Sequence, residues 1–153
     1  MTRVADPNFA DRIRASFAKQ HAMALIRANL PVIEPGRTEI HLPHWSGIEQ
    51  QHGFVHGGVV GMIADSAAGY AAMTTVPAET SVLTVEYKMN LIAPADGERL
   101  IARGQVVRAG RTLVVTQAEV FAVKDGQEKL CALMQQTIMC VTRTEKAHGQ
   151  PGK

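Results

Sequence analysis

The stretch HGFVHGGVVGMIADSAAGYAA, residues 52–72, decides the fold because it predicts a long helix that has no polar side. From Gly57 to about Thr75 the run is too long for a strand, and it is rich in alanine and methionine, which favour helix. Apolar residues occur on every side of this helix, so we expect it to lie in the protein interior. The helix contains one carboxylate, Asp65, whose position in an apolar interior requires a structural or functional explanation.

Four segments with the alternating pattern of strands follow the helix and could cover it: SVLTVEYKMNLI, RLIARGQVVR, RTLVVTQAEVFAV and KLCALMQQTIMCVTR. The turn sequences AlaGly at 109–110 and LysAspGlyGln at 124–127 predict hairpins between neighbouring strands. The long helix should then lie against an antiparallel sheet, which makes the fold class α+β.

The chain before the long helix predicts one short helix and the first strand. Asp6 and Pro7 are typical of an N-cap and a first helical residue, and the apolar spacing continues to about His21. The segment LPVIEPGRTEIHLP contains a PG turn and then alternates, which indicates a strand reached through a hairpin. We divide the chain into an N-terminal helical segment (1–29), a sheet-and-helix domain (30–142) and a frayed tail (143–153).

Composition narrows the class of protein. A length of 153 residues fits one domain, and a net charge of +2 with dispersed Lys and Arg does not make a nucleic-acid-binding patch. The N-terminus lacks the continuous apolar segment of a signal peptide, and no apolar run in the sequence approaches the ~20 residues that span a membrane. Cys131 and Cys140 are spaced to face opposite sides of one strand, as reduced thiols. We expect a cytoplasmic protein that binds neither nucleic acid nor membrane.

The start of the long helix and Asp65 together suggest chemistry. Asp65 follows Gly58 by almost two turns and returns to the same face of the helix. The free amides of the first turn suit a developing negative charge, and Gly57 and Gly58 would let a carbonyl approach the backbone. Such amides form an oxyanion hole. Asp65 would then act as a general base or as a nucleophile, and the sequence leaves both roles open.

Two structural alternatives compete with this interpretation. A buried carboxylate is commonly paired with an arginine or caps a backbone group, and Asp65 could do either. Four histidines, His41, His44, His52 and His56, raise the possibility of a metal site. Nearby glycines disfavour a helix there and the H-E-x-x-H glutamate is missing, so metal binding is a minor possibility. For His56 we expect an orienting role, in which it braces the loop through a backbone hydrogen bond.

The order of these segments resembles the hotdog-fold thioesterases, specifically the phenylacetate-pathway (PaaI-like) acyl-CoA thioesterases. The resemblance covers residues 30 to 141 and depends on HGGVVGMIAD, TVEYKMNLIAPA and VVRAGRTL standing in the expected order. It implies a hotdog fold for residues 30–142, with an antiparallel β-sheet wrapped around one long central helix. It also implies a homodimer, or a dimer of dimers, with active sites at the subunit interface.

The same resemblance assigns roles to individual residues. It places the catalytic carboxylate at Asp65, the oxyanion amide at Gly57, a hydroxyl that helps to position water at Thr84, and a side-chain amide near the carbonyl at Gln50, where many relatives have Asn. Relatives often contact the nucleotide end of coenzyme A from the loop that holds Arg108 and Arg111 here, and two guanidinium groups at a hairpin tip suit phosphate.

The preferred function is hydrolysis of an acyl-CoA thioester to a free acid and coenzyme A. We expect no redox or metal cofactor, and coenzyme A is itself part of the substrate. Two alternatives stay open: a hydratase or dehydratase of acyl thioesters, although the D-x-N-P-x-H pattern is absent, and a non-catalytic acyl-CoA-binding protein or sensor. The acyl group would need an apolar slot, for which the candidates are Met62, Met73, Tyr70, Phe54 and the N-terminal segment.

Overall fold

The computed structural model describes residues 4–142 as one antiparallel sheet with a long helix against it. The strands are β1 (Asn29–Glu34), β2 (Arg37–Pro43), β3 (Thr80–Leu91), β4 (Arg99–Ala109), β5 (Leu113–Lys124) and β6 (Gln127–Thr142), and the helices are α1 (Phe9–Phe17), α2 (His21–Leu25) and α3 (Gly57–Met73). The sheet order is β1-β2-β4-β5-β6-β3. The predicted α+β class is confirmed. The predicted frayed tail, 143–153, lies outside the described residues.

The long helix α3 is buried against the sheet, as the sequence predicts. Two contacts at Ala67 set the distance between this helix and the sheet. The Thr38 hydroxyl of β2 donates a hydrogen bond of 2.6 Å to the Ala67 carbonyl oxygen. A Cβ atom on Gly104 of β4 would lie 2.3 Å from the backbone carbonyl carbon of Ala67, so only glycine fits there. These contacts hold the helix backbone two residues beyond Asp65.

The predicted hairpins are present, and the predicted first strand proves to be two strands. Pro35 and Gly36 link β1 to β2, and Gly36 has φ 75°. The turn between β5 and β6 places Asp125 and Gly126 at φ 51° and 74°, the left-handed values that a tight hairpin turn requires. The turn chemistry therefore fixed these connections as expected.

The N-terminal segment forms two short helices where the sequence predicts one from Pro7 to about His21. The chain leaves helical geometry at Gln20, where ψ is 92°. The Gln20 side chain donates a hydrogen bond of 2.7 Å to the Tyr70 hydroxyl of α3. This tertiary contact accompanies the break between α1 and α2, and spacing along the sequence does not reveal it.

Strand β3 is an edge of the sheet and exposes apolar side chains. Leu83 is 62% exposed, Val85 54%, Tyr87 48% and Leu91 56%. Natural edge strands are usually protected by charges, bulges or covering elements, because their free backbone groups attract another strand. The apolar edge of β3 is thus suited to contact with another chain.

Both cysteines are free thiols, but they do not face opposite sides of β6. The register of β5 and β6 shifts between Val120 and Phe121, which leaves Cys131 as an extra residue in β6. Because of this bulge, Cys131 lies in the buried core and Cys140 packs against the interior as well. Burial raises the pKa of Cys131 to about 11.

No helix within residues 4–142 combines the length and the apolar character that crossing a membrane requires.

Candidate active site

Asp65 lies half-buried near the middle of α3 and opens into a cavity of about 450 Å³. The cavity lies between α3, strand β3 and the N-terminal helical segment. Its lining includes Ser16, Gln20, Asp65, Ser66, Gly69, Tyr70, Met73, Ser81, Val82, Leu83, Thr84 and Ile138. The predicted catalytic carboxylate and the predicted water-positioning hydroxyl, Thr84, thus share one cavity.

One oxygen of the Asp65 carboxylate is held by two neutral donors. The Thr84 hydroxyl donates a hydrogen bond of 2.7 Å to Oδ1, and the Gln136 side-chain amide donates to the same atom. Gln136 also donates to the Thr84 Oγ1 at 2.7 Å. Within the described residues Oδ2 accepts no hydrogen bond, so it is available to a water molecule or a carbonyl carbon in the cavity.

Gln136 is fully buried, and its other end is also bonded. The Thr116 hydroxyl donates a hydrogen bond of 3.2 Å to the Gln136 Oε1. With its oxygen satisfied by Thr116, the amide must present its N–H groups to Asp65 and Thr84. The buried end of this network, Gln136 and Thr116, is satisfied and therefore rigid, and it orients the half-buried carboxylate.

Asp65 has no ion pair with any residue in 4–142. For the arginines that the structure describes, the alternative that Asp65 is a structural ion-pair partner is therefore wrong. Its negative charge is not cancelled by a neighbouring cation, and the donors that hold it are a hydroxyl and an amide. A carboxylate in this setting keeps its capacity to accept a proton or attack a carbon.

At the start of α3 one amide is left without a partner. The Gly58 N–H donates to the His56 Nδ1 at 2.9 Å, and the Val59 and Val60 N–H groups donate to the His56 carbonyl oxygen at 2.9 and 3.1 Å. No acceptor within residues 4–142 takes the Gly57 N–H. His56 is thus the helix cap and a brace, the Gly58 amide is already used, and Gly57 offers the free donor of the first turn.

Gly57 lines a second cavity of about 430 Å³ together with Gln50. Its other lining residues are mostly apolar and include Phe54, Val60, Leu91 and Cys131. The Gln50 side-chain oxygen accepts a hydrogen bond from the His52 backbone amide. The predicted carbonyl-binding residues Gln50 and Gly57 thus come together, in a cavity separate from that of Asp65.

The two cavities share no lining residue. Gly57 and Asp65 are eight residues apart on one helix, which corresponds to about 12 Å along its axis. An oxyanion donor and a catalytic carboxylate must reach the same carbonyl group, so this separation is too large within one chain. One chain thus keeps the predicted oxyanion amide and the predicted carboxylate apart, as two predicted half-sites.

Arg108 and Arg111 stand beside the turn between β4 and β5, and both are exposed. Neither lines the Asp65 cavity or the Gly57 cavity. Among residues 4–142 neither guanidinium group has an ion pair. The structure thus places two free cations at a hairpin tip, outside both half-sites.

The histidines considered as metal ligands have separate partners. The His41 Nε2 is 3.2 Å from a Glu39 carboxylate oxygen, and His44 bonds to the Gly97 carbonyl oxygen at 2.8 Å and to Glu49 at 2.9 Å. In the part of the chain that the structure describes, no three His, Cys, Asp or Glu side chains gather into a metal-binding group.

Gln136 is the site residue that the sequence analysis missed. On β6, the side chains that face α3 include Ala132, Met134 and Ile138, and Gln136 occupies the same alternating series. A polar residue in an apolar series must find hydrogen-bond partners when it is buried. That break in the alternation is the signal that could have identified it.

Comparison with known proteins identifies the family. Residues 52–129 match the family model of the thioesterase superfamily. The chain belongs to this superfamily. The match includes the whole of α3, with Gly57 and Asp65, and extends through β5.

Relatives of this thioesterase-superfamily chain support the fold and the resemblance. A thioesterase family protein from Silicibacter pomeroyi has a structure with a TM-score of 0.87 and 44% identity, which covers 88% of this chain and 99% of that one. The PaaI protein from the phenylacetic acid degradation operon of E. coli has a TM-score of 0.79 at 18% identity, covering 90% and 96%, and shows the shared fold. A Listeria monocytogenes protein named 1,4-dihydroxy-2-naphthoyl-CoA hydrolase is 26% identical over 106 residues, 69% of this chain and 84% of the relative. The hotdog fold and the PaaI-like resemblance are confirmed.

Proposed function

We propose that this protein hydrolyses acyl-CoA thioesters to free acids and coenzyme A. The observation that carries the proposal is the Asp65 carboxylate, which faces a cavity with Oδ1 held by Thr84 and Gln136 and with Oδ2 unbonded among the described residues. Membership of the thioesterase superfamily supports the reaction class, and the name of the Listeria relative supports a coenzyme A thioester as substrate.

Asp65 acts in one of two ways. As a general base, its Oδ2 takes a proton from water while the water oxygen bonds to the thioester carbonyl carbon. The tetrahedral intermediate then collapses, the C–S bond breaks, and the departing thiolate receives a proton. As a nucleophile, Oδ2 itself bonds to the carbonyl carbon and displaces the thiolate, and water then cleaves the resulting anhydride. Thr84 positions the carboxylate in both routes.

The second half-site is supplied by another copy of the chain. The free Gly57 N–H stabilises the negative charge that develops on the carbonyl oxygen, but about 12 Å of helix separates it from Asp65 of the same chain. The exposed apolar edge of β3 supports a homodimer in which two sheets join, alone or as a dimer of dimers. Gln50 of the Gly57 cavity lies beside the carbonyl, and His56 holds the helix start in place.

The remaining assignments follow from the same chemistry. Arg108 and Arg111 bind the phosphates of coenzyme A, since they carry two exposed charges at one hairpin tip. The reaction uses no redox or metal cofactor, because a carboxylate and a backbone amide suffice for hydrolysis. The free thiols of Cys131 and Cys140 support a reducing compartment, and we place the protein in the cytoplasm.

The test is thiol release from short, medium, long and aryl acyl-CoAs by the wild type and by Asp65→Asn. We expect turnover by the wild type and a loss of about 10³-fold in the variant, with the melting temperature nearly unchanged. Asp125→Asn is the matched control, because it makes the same chemical change at an exposed turn residue whose positive φ asparagine tolerates.

Three results would contradict the proposal. Full activity of Asp65→Asn would remove the carboxylate from the reaction. Stoichiometric retention of intact thioester by the wild type over hours would indicate a binding protein or sensor. Formation of a hydrated or dehydrated acyl-CoA without release of thiol would indicate a hydratase or dehydratase.

A further inference from the structure

The far end of the Asp65 cavity is polar, although the sequence predicts an apolar slot. The Tyr70 hydroxyl accepts a hydrogen bond of 2.7 Å from the Gln20 side-chain amide and lies 3.4 Å from the Ser16 hydroxyl. All three residues line the cavity. Of the other predicted lining residues, Met73 is there too, whereas Phe54 lines the Gly57 cavity and Met62 belongs to neither lining.

These polar groups are held in place from two directions. The Tyr70 ring is buried and meets the Phe17 ring edge-on, with centroids 5.8 Å apart. Gln20 stands between α1 and α2, where the chain leaves helical geometry and its side chain reaches α3. A fixed aromatic ring and a fixed amide make a preorganised group of hydrogen-bonding atoms.

Hydrogen-bonding capacity remains at this end of the cavity. Because the Tyr70 hydroxyl oxygen accepts from Gln20, its own proton is free for another acceptor, with the Ser16 oxygen at a long 3.4 Å. The Gln20 Oε1 accepts no hydrogen bond within residues 4–142. The three side chains together therefore offer at least one donor and one acceptor to a molecule in the cavity.

The position of this group suits the distal end of an acyl chain. Tyr70 follows Asp65 by five residues on α3, a rise of about 7.5 Å. The cavity wall also includes the apolar Val82 and Ile138 and the small Gly69, beside two serines, Ser66 and Ser81. A thioester carbonyl at Asp65 would direct its acyl group along this wall towards Tyr70.

We infer that Ser16, Gln20 and Tyr70 form a subsite that binds a polar group, such as a hydroxyl, at the end of the acyl group remote from the thioester. This inference rests on the proposed thioesterase function. An acyl group with a plain methyl terminus would bury these polar atoms without partners, which costs free energy, whereas a terminal hydroxyl donates and accepts. A site that hydrogen-bonds a substrate hydroxyl also rejects the analogue that lacks it.

The experiment compares matched pairs of substrates: butanoyl-, hexanoyl- and octanoyl-CoA and the same thioesters with a terminal hydroxyl. The measured quantity is the ratio of kcat/KM between the two members of each pair. For the wild type we expect the hydroxylated member to be favoured about tenfold at the chain length that reaches the subsite. Tyr70→Phe, which removes one oxygen, and Gln20→Leu should bring this ratio close to one.

Controls separate the subsite from the reaction. Gln105→Leu makes the same change as Gln20→Leu at an exposed residue of β4 and should keep the wild-type ratio. Tyr70→Phe keeps the ring contact with Phe17, so it tests the subsite even if Gln20→Leu does not fold. Turnover of both members with a ratio near one in the wild type, or a preference that survives Tyr70→Phe and Gln20→Leu, overturns the subsite and leaves the thioesterase function standing. Absence of turnover for every substrate overturns both.

Discussion

Two carboxylates, the half-buried Asp65 on α3 and the buried Glu39 on β2, have surroundings that differ in charge. Asp65 is held by a hydroxyl and an amide and has no ion pair among the described residues. Glu39 is 7% exposed and bonds to two cationic side chains, Arg37 and Arg103, while the His41 ring lies 3.2 Å away. The difference separates the carboxylate that we propose for chemistry from one that stabilises the structure.

The surroundings of Glu39 tie four elements of the fold together. Arg103 donates to Glu39 at 3.0 Å and to both oxygens of Glu128, and its guanidinium lies 4.7 Å from the centre of the Phe121 ring. Burial alone would raise the pKa of Glu39, but hydrogen bonds from His41 and Arg103 and the charges of the arginines outweigh burial and lower it. All oxygens of this carboxylate are thus committed to neighbours.

The comparison indicates how a fold can use the same functional group for two purposes. Two arginines, Arg37 and Arg103, bond to one oxygen of Glu39, and His41 lies within hydrogen-bond distance of the other, so neither oxygen is left without a partner. Neutral donors hold one oxygen of Asp65 and leave the charge and the other oxygen free. The chemistry follows from the donors, since the carboxylate itself is the same.

The largest effects are expected at Asp65 and Glu39, where one substitution should cost reaction rate and the other should cost stability. Asp65→Asn should lower kcat by about 10³-fold and change the free energy of unfolding little. Glu39→Gln should do the reverse, with kcat near that of the wild type and a loss of stability of about 2 kcal/mol, because charged hydrogen bonds are lost. Steady-state kinetics and urea unfolding on the same two variants measure both quantities. Equal kinetic losses in the two variants would break the comparison.

The second prediction concerns the amide half-site. Gly57→Pro removes the free N–H at the first helical position, where proline is favoured, and the residue before it, His56, already has the extended φ and ψ of −59° and 136° that proline requires. We expect kcat to fall about 10²–10³-fold, the usual cost of a lost oxyanion donor.

Gly57→Ala is the matched control for this variant. It keeps the N–H but adds a Cβ that would meet the Leu91 side chain at 2.8 Å, as proline also would. Comparable losses in both variants would mean that the Leu91 contact, and not the amide, matters. Mixing Gly57→Pro and Asp65→Asn chains, refolded together, should restore part of the activity, because one intact site then forms from two chains.

A smaller effect is expected at Gln136. Gln136→Leu removes the amide that orients Asp65 and Thr84, and we expect kcat to fall about tenfold with KM nearly unchanged, since a misplaced group costs rate more than binding. Gln135→Leu, the neighbouring and exposed residue on the opposite face of β6, should leave kcat unchanged. An equal effect of the two variants would contradict a positioning role for Gln136.

The smallest effect, on stability alone, depends on pH. The folded protein holds the pKa of Glu39 below its ordinary value of 4.5, so the ionised form stabilises the fold above that value. This stabilisation is lost as the pH falls through the lowered pKa. The difference in unfolding free energy between the wild type and Glu39→Gln should therefore be full at pH 7 and shrink below about pH 4.5. A difference that stays constant down to pH 3 would contradict the assignment.

Much of the fold could be predicted from the sequence, because apolar periodicity and turn residues are local signals. Residues 57–73 carry the pattern of a buried helix, and the hairpin at Asp125 and Gly126 carries the residues its backbone angles require. The break at Gln20 and the bulge at Cys131 were not predictable, since tertiary contacts and strand register decide them.

The site was predicted less completely, for a geometric reason. Helical spacing shows that Gly58 and Asp65 lie on one face, but one face of a helix can border two cavities, and the separation of the Gly57 and Asp65 cavities depends on tertiary packing. The contact between Thr84 and Asp65 joins a strand and a helix, and only the resemblance suggested it. Gln136 could have been identified only from the observation that a polar residue interrupts a buried face of β6.

The close contact between Ala67 and Gly104 separates the positions that laboratory evolution can change from those that it cannot. A side chain of any size at 104 would push α3 away from the sheet, and Asp65 would move with it. Residues 16, 20 and 70 line the cavity and take no part in the contacts at Ala67. Libraries that aim at a new acyl preference should therefore randomise those three positions and keep Thr38 and Gly104, so that selection explores substrates while the geometry of the carboxylate stays constant.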